Sequence, residues 1–310
     1  MKKVLYLVMA VALVSFGAGC NKNNGNRTDE GNGNTQDPDS GKTEKPTVKT
    51  GADNLVMWLS FDDAAIIGKG DGITLDSNKG QADLGDGFIG KGWTNKGGDN
   101  TVEAYTKLNL AAGNPFTKLA SFTFSAWGKL PKDKEAKGAV ISFNGTGVED
   151  MWPSFIFIFD NISDVDLDDG TKIKAQQFNG RIDFLSLEGK PAMWPNCASD
   201  VFLKKNEWFQ MVRTYDAATG HWANYANGML VNEGDFLVDE KPAGPVSAAF
   251  AADCNALYVG AWSSKVEGKS NETWQNYWAG SLDEIRMYNK AFSEEEVLNL
   301  YKEELAINLL

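Results

Sequence analysis

Gly280-Ser-Leu-Asp-Glu-Ile-Arg-Met-Tyr-Asn-Lys-Ala-Phe-Ser-Glu-Glu-Glu-Val-Leu-Asn-Leu-Tyr301 reads as a strand that hands over to a helix. Between Leu282 and Tyr288, Asp283 shares a face with Ile285 and Met287 while Glu284 and Arg286 share the other, the period of two of a half-buried strand. The period then changes. Ser293 with Glu296 three residues on has capping-box spacing, and Val297, Leu298, Tyr301 and Leu305 make an apolar stripe at helical spacing. A short helix is therefore expected to close the chain.

Upstream, the dominant pattern is β. Leu55, Met57, Leu59 and Phe61 alternate with Val56, Trp58 and Ser60 and end at Asp62-Asp63, which predicts a first strand with one strongly apolar face. The runs 122–127, 138–143, 154–159 and 180–187 are rich in aromatic and β-branched residues and are bounded by turn formers. Asn227-Gly228 is a two-residue hairpin signal. Gly85-Asp-Gly87-Phe-Ile-Gly90 has the spacing of a dinucleotide loop, but no strand leads into it and no helix leaves it, so it is read as a turn. The chain shows no internal repeat.

Several of these stretches resemble, in order, the strands of laminin-G-like jelly-roll domains of the concanavalin A-like lectin/glucanase superfamily. Gly280 to Asn289 is similar to the family's closing strand, Gly-x-(Leu/Ile)-Asp-Glu-(Val/Ile)-Arg-(apolar)-Tyr-Asn. Phe122-Thr-Phe-Ser-Ala-Trp127, Trp208 to Asp216, Tyr225 to Val231 and Leu257-Tyr-Val-Gly260 resemble inner strands of the same family. The resemblance runs from Leu55 to Tyr301. It implies an all-β fold, a two-sheet antiparallel jelly-roll β-sandwich with a short C-terminal helix, first and last strands paired.

Lys2 and Lys3, the apolar run 4–14 and the small-residue exit to Cys20 have the layout of an export signal, too short to span a bilayer. The segment ending at Cys20 resembles a bacterial lipobox, which implies that residues 1–20 form a lipoprotein signal with Cys20 as the lipidated residue. Residues 21–52 are polar, with almost nothing apolar except Val48, and are expected to be a disordered tether. Residues 53–310 are then one jelly-roll domain on an outer membrane lipoprotein, facing the cell surface or the periplasm. The formal net charge is −12, and loss of Lys2 and Lys3 with the leader makes it two units more negative. That excludes a phosphate backbone as the natural partner, so no nucleic acid is expected.

His221 is the only histidine, which excludes histidine-rich metal clusters and most nucleophile–histidine–acid triads. The superfamily's glucanase motif Glu-x-Asp-x-x-Glu is absent; in Arg181-Ile-Asp183-Phe-Leu-Ser-Leu-Glu188 the two acids are an odd number apart and fall on opposite faces of a strand. Asp164-Val-Asp166-Leu-Asp168 alternates like a calcium loop but lacks the later glutamate, so a solvated acidic hairpin tip is expected. If the first and last strands are antiparallel neighbours, Asp62 approaches Asp283, and facing carboxylates call for a cation; a structural calcium is the expected cofactor, the competing role being turn capping. Export also allows Cys197 and Cys254 to form a disulfide in place of two buried thiols.

Among the ten tryptophans, Trp58, Trp127 and Trp208 sit in strand patterns and are expected in the core. Trp152 and Trp194 each lie in Met-Trp-Pro, and Trp262 and Trp274 occupy or border a polar stretch. Pyranose rings stack their C–H face on flat aromatics, so these four, with Asn196 and Asp150 as polar neighbours, form the expected glycan platform. The function expected is a non-catalytic carbohydrate-binding module. A glycoside hydrolase or lyase of the superfamily, or a surface adhesin that binds protein, are the competing readings.

Overall fold

The structure is a computed structural model and describes residues 5–6, 47–62, 66–134, 137–145, 153–159, 165–166, 172–173, 175–177, 180–185, 191–192, 201–238, 240–242, 244 and 253–310. The principal strands are β1 (Leu55–Leu59), β2 (Ile67–Lys69), β3 (Ile73–Gly80), β4 (Ala82–Asp86), β5 (Lys91–Asn95), β6 (Ala104–Leu110), β7 (Phe122–Lys129), β8 (Gly138–Phe143), β9 (Phe155–Phe159), β10 (Gly180–Leu185), β11 (Trp208–Tyr215), β12 (His221–Ala226), β13 (Met229–Asp235), β14 (Ala256–Val259) and β15 (Ser281–Tyr288). Two helices are α1 (Ser263–Val266) and α2 (Glu294–Asn308). One antiparallel sheet runs β10-β9-β8-β14-β6-β3; the other runs β13-β12-β11-β7-β15-β1-β2, with β5 pairing β15 and β4. The fold is a two-sheet antiparallel jelly-roll β-sandwich with a short C-terminal helix.

Alternation decides which side chains meet between the sheets. Phe155 and Phe157 point inward from β9 against Phe122, Phe124 and Phe143, with ring centroids 5.0–5.5 Å apart, and Phe159 meets Phe209 and Trp278 at 5.8 and 5.7 Å. Each such ring, buried from water, contributes roughly 2–3 kcal/mol. As expected from the sequence, β1 and β15 are antiparallel neighbours, Leu59 opposite Ile285 and Trp58 opposite Arg286. The Asn227-Gly228 hairpin is also present; both residues have positive φ, which glycine and asparagine tolerate best. The acidic Val165–Asp166 segment pairs with Lys172–Ile173 as a hairpin.

Within β15 the alternation expected from the sequence is reset. Glu284 has φ 50° and the register shifts between Asp283 and Arg286, a bulge that brings Leu282, Ile285 and Met287 into the core and turns Asp283 away from it.

The capping box of α2 forms as read, Ser293 Oγ accepting from Glu296 N and Glu296 Oε2 from Ser293 N. Val297, Leu300 and Glu304 are the buried stripe, and the helix lies across the outer face of the second sheet against Val212, Ala223, Tyr225, Tyr288 and Phe292. Trp127 is fully buried on this outer side, stacked on Phe88 at 3.3 Å and beside Tyr301, while Trp58 and Trp208 are half-buried. The expectation that these three lie in the core thus holds for Trp127, which is buried by Phe88 and the helix rather than by the opposite sheet, and is corrected for Trp58 and Trp208, which are only half-buried.

A charged network lies beneath α2. Arg286 pairs with both Glu284 and Glu304, and Glu304 Oε2 accepts from Trp127 Nε1 at 2.6 Å and Gln210 Nε2 at 2.7 Å. Trp58 Nε1 donates to Glu284 Oε2 at 3.0 Å. Burial pushes the Glu304 carboxyl up although Arg286 opposes the shift, and it pushes Glu284 up to about 7.

Candidate functional site

The turn between β4 and β5 is where the two expected metal ligands meet. Asp62 follows β1 and its Oδ1 accepts from Lys91 N at 2.9 Å; Asp283 Oδ2 accepts from Ile89 N at 2.9 Å and its Oδ1 from Glu284 N at 2.8 Å. Strand pairing thus brings both carboxylates to one turn. A Cβ built on Gly90, which has φ 61°, would stand 2.1 Å from Asp62 Oδ1, and one on Gly87 2.6 Å from Asp283 Oδ2, so the backbone can approach the carboxylates only as glycine. Asp283 is fully buried. Desolvation, then the neighbouring Glu284, hold its carboxyl well above the ordinary range, opposed by the N–H groups of Ile89, Glu284 and Phe88. Among the described residues no group of three acidic, histidine or cysteine side chains converges as a metal cage. An ion here would draw on these two carboxylates and on carbonyl oxygens of the turn, the hard oxygen donors calcium accepts.

The second place is the outer face of the other sheet. Cross-strand register sets Ser77, Lys107, Tyr258, Ser142, Ile156 and Asp183 in one row across the strands from β3 to β10. Over this row lies the segment that carries α1, anchored by Ser142 Oγ, which accepts from Ser263 N at 2.8 Å and donates to Ala261 O at 2.7 Å. Because this segment folds down onto the sheet, Trp262 is only 3% exposed, packed with Ala139, Ile156 and Ile158. Trp274 meets it edge to face at 5.3 Å, stays half-buried, and donates Nε1 to Glu272 Oε2 at 2.9 Å. Of the two expected platform tryptophans here, Trp274 therefore presents surface and Trp262 supports it from below.

Beside Trp274 the face is aromatic and polar. Tyr277 stacks on Tyr105 at 6.5 Å, Tyr105 meets Tyr258 edge-on at 6.0 Å, and Lys265 Nζ sits 4.9 Å over Tyr277. Glu267 Oε1 accepts from Asn144 Nδ2 at 2.7 Å and from Tyr258 OH at 2.9 Å. Burial alone would raise the Glu267 carboxyl, but hydrogen bonds from Lys269, Asn144 and Tyr258 outweigh it and hold the group lowered. Burial, with Glu267 second, raises the Tyr258 phenol far beyond its ordinary value. Such a face offers fixed hydrogen-bond partners and ring surfaces.

Cys254 is a buried free thiol whose Sγ lies 3.8 Å from Ala256 O, and burial pushes it up to about 12. Its expected disulfide partner Cys197, the platform residues Trp152, Trp194, Asn196 and Asp150, and the lipidation site Cys20 lie outside the described residues. The tyrosines 105, 258 and 277 and Glu267 were missed in the sequence, where each sits in an ordinary strand or turn pattern; only the pairing of β6 with β14 and the loops folded onto them unite these residues.

A family model described as the concanavalin A-like lectin/glucanases superfamily matches residues 97–298. No curated protein sequence matches the chain. Among solved structures, domain 4 of AbnA, an extracellular arabinanase from Geobacillus stearothermophilus solved with arabinotriose, is similar at 19% identity and TM-score 0.43, with 80% of this chain and 98% of that one covered. A heptameric pentraxin from Limulus polyphemus is similar at 17% identity and TM-score 0.36, covering 58% and 69%. The binding domain of botulinum neurotoxin serotype G is similar at 13% identity and TM-score 0.49, covering 80% and 51%.

Proposed function

The chain belongs to the concanavalin A-like lectin/glucanase superfamily, and from that premise we propose that it is a non-catalytic carbohydrate-binding module, held at the outer membrane by a lipid on Cys20 and a tether over residues 21–52. The observation that carries the binding reading is Trp274: half-exposed and fixed by Trp262 and Glu272, on a sheet face that also carries the Tyr105–Tyr277 pair and the Glu267–Asn144 bond. A sugar ring stacks its C–H face on an indole and satisfies its hydroxyls with planar amide and carboxylate groups. On a panel of immobilised polysaccharides the protein is expected to be retained by at least one, and Trp274→Ala to weaken that retention about tenfold, the loss of one stacking contact of roughly 1.4 kcal/mol. Unchanged retention moves the platform elsewhere. Release of sugar products from the retained polysaccharide would replace the module with a hydrolase or lyase, and retention by a protein partner alone would make it an adhesin.

The same reading includes a structural calcium at the β4–β5 turn. What supports it is a charge imbalance: Asp283 is buried beside Glu284 and is stabilised only in part by backbone N–H groups. An ion bound there at a hundred times its dissociation constant would stabilise the fold by about 2.7 kcal/mol. Chelation is therefore expected to lower the melting temperature by roughly 5–10 °C, restored by added calcium; a melting temperature indifferent to both leaves Asp62 and Asp283 as turn caps.

A further inference from the structure

The segment that carries Trp262 and Trp274 runs as a strap from Ala261 to Trp278 and is fastened to the sheet near both ends. At its start Ser263 N donates to Ser142 Oγ at 2.8 Å. At its end Tyr277 bridges Ala139 in parallel register, and Tyr277 N donates to Asn100 O at 2.9 Å. Between these anchors the chain leaves α1, reverses at Gly268, where φ is 71°, and returns with Lys269 N and Ser270 N on Ser264 O at 2.9 and 3.2 Å. Trp274 lies on the returning limb, in a turn closed by Gln275 N on Glu272 O at 3.2 Å. Neither anchor includes that turn.

Side-chain bonds tie the turn back to α1, and they meet at Gln275, the residue after Trp274. Gln275 is fully buried, and its Nε2 donates to Ser264 Oγ at 3.3 Å, a long bond between neutral groups. Its carbonyl accepts from Lys265 Nζ at 2.6 Å, a short bond from a charged donor. The Lys265 ammonium also stands 4.9 Å over the ring of Tyr277, at the far anchor. One cation thus joins α1, the Trp274 turn and the end of the strap. Burial lowers its amine from the ordinary value, as expected of a group turned into the strap and away from water. Lys269 pairs with Glu267 at 3.0 Å, and Glu272 Oε2 accepts from Trp274 Nε1. Both lysines are therefore engaged within the strap, which suits the surface beside Trp274 to an uncharged sugar.

We propose that Lys265 is the positioning residue of the Trp274 platform: it pins the turn that presents the indole, touches no sugar itself, and so serves neutral glycans. The inference rests on the carbohydrate-binding reading for the ligand alone, since the pinning is a property of the strap.

Lys265→Met removes the ammonium while keeping an unbranched stem, and Lys265→Arg keeps a cation that can donate to a carbonyl and stack on a ring. In the full-length protein the indole N–H signals are followed by NMR, with that of Trp274 assigned by its loss in Trp274→Ala. Exchange of the Trp274 indole N–H with solvent is expected to be about tenfold faster in Lys265→Met, with the Trp127 indole unchanged and Lys265→Arg within about twofold of the parent. On immobilised mixed-linkage β-glucan and galactomannan, both neutral, Lys265→Met should lose retention as Trp274→Ala does, and Lys265→Arg should keep it. Unchanged Trp274 exchange in Lys265→Met, equal acceleration of Trp127, or a loss confined to polygalacturonate would each overturn the proposal, the last because it would make Lys265 a direct partner of sugar carboxylates. Should the parent protein be retained on none of these polysaccharides while the exchange responds as expected, the binding reading of Trp274 falls and the pin stands. Should Trp274→Ala alone lose retention, the platform stands and the pin falls.

Discussion

Replacing Glu304 by alanine is expected to cost about 3–5 kcal/mol of folding stability, the range for removing one partner of a buried ion pair. Glu304 is wholly buried, and its carboxylate answers the guanidinium of Arg286 together with the N–H donors of Trp127 and Gln210. Without it, Arg286 keeps only Glu284 as its carboxylate and two side-chain donors from different strands lose their acceptor, each under a helix that admits no water to replace it. In a domain of this size the melting temperature should fall on the order of 10 °C. Glu303→Ala, one residue earlier, is the control: that half-exposed side chain accepts from the backbone N–H groups of Lys49 and Thr50 and should cost under about 1 kcal/mol. Urea denaturation measures both. A loss below 1 kcal/mol for Glu304→Ala would mean that the helix is not held through this network.

The second large effect is a fall in stability as pH rises from about 4.5 to 7. Burial raises Glu284 to about 7, and Asp283 beside it is raised as well. A carboxyl whose folded value lies above its unfolded value binds protons more tightly when folded. Its stabilising contribution is complete below the unfolded value and is lost as pH climbs through the folded one. At 1.36 kcal/mol per unit, Glu284 alone contributes roughly 2–3 kcal/mol across that window. Carboxyls held low, such as Glu267 and the capping Glu296, act in the opposite sense but in a lower window, as pH drops below about 4.5. Stability should therefore peak near pH 5, measured as the urea midpoint between pH 4 and 8. Saturating calcium should flatten the descending limb if the ion binds Asp283, since a bound cation favours the ionised form. A profile that rises from pH 5 to 7 without calcium would contradict the burial assigned to this pair.

How legible all this was in the sequence depended on the range of the interaction. The capping box at Ser293 and Glu296 and the Asn227-Gly228 hairpin are local, and each formed where its spacing placed it. The meeting of Asp62 and Asp283 on one turn was legible too, because it follows from pairing first strand with last. The bulge at Glu284 was not, since an added residue breaks the alternation from which faces are read. Nor was the fate of Trp127, whose period-2 position says which way it points but not that a helix 170 residues later will cover it. Nothing in the helix sequence singles out Glu304 among its acids. Its partners come from three strands, and no spacing in the helix names them.

The position of β15 bears on how the molecule comes into being. It comes last in sequence among the described strands, yet it lies inside its sheet, between β7 on one side and β1 and β5 on the other. Until it emerges during synthesis, β1 and β7 have no common partner, and two open edges wait for a segment more than 200 residues downstream of β1. Native closure of this sheet thus waits for residues 281–288. A chain lacking residues 281–310 cannot complete its second sheet.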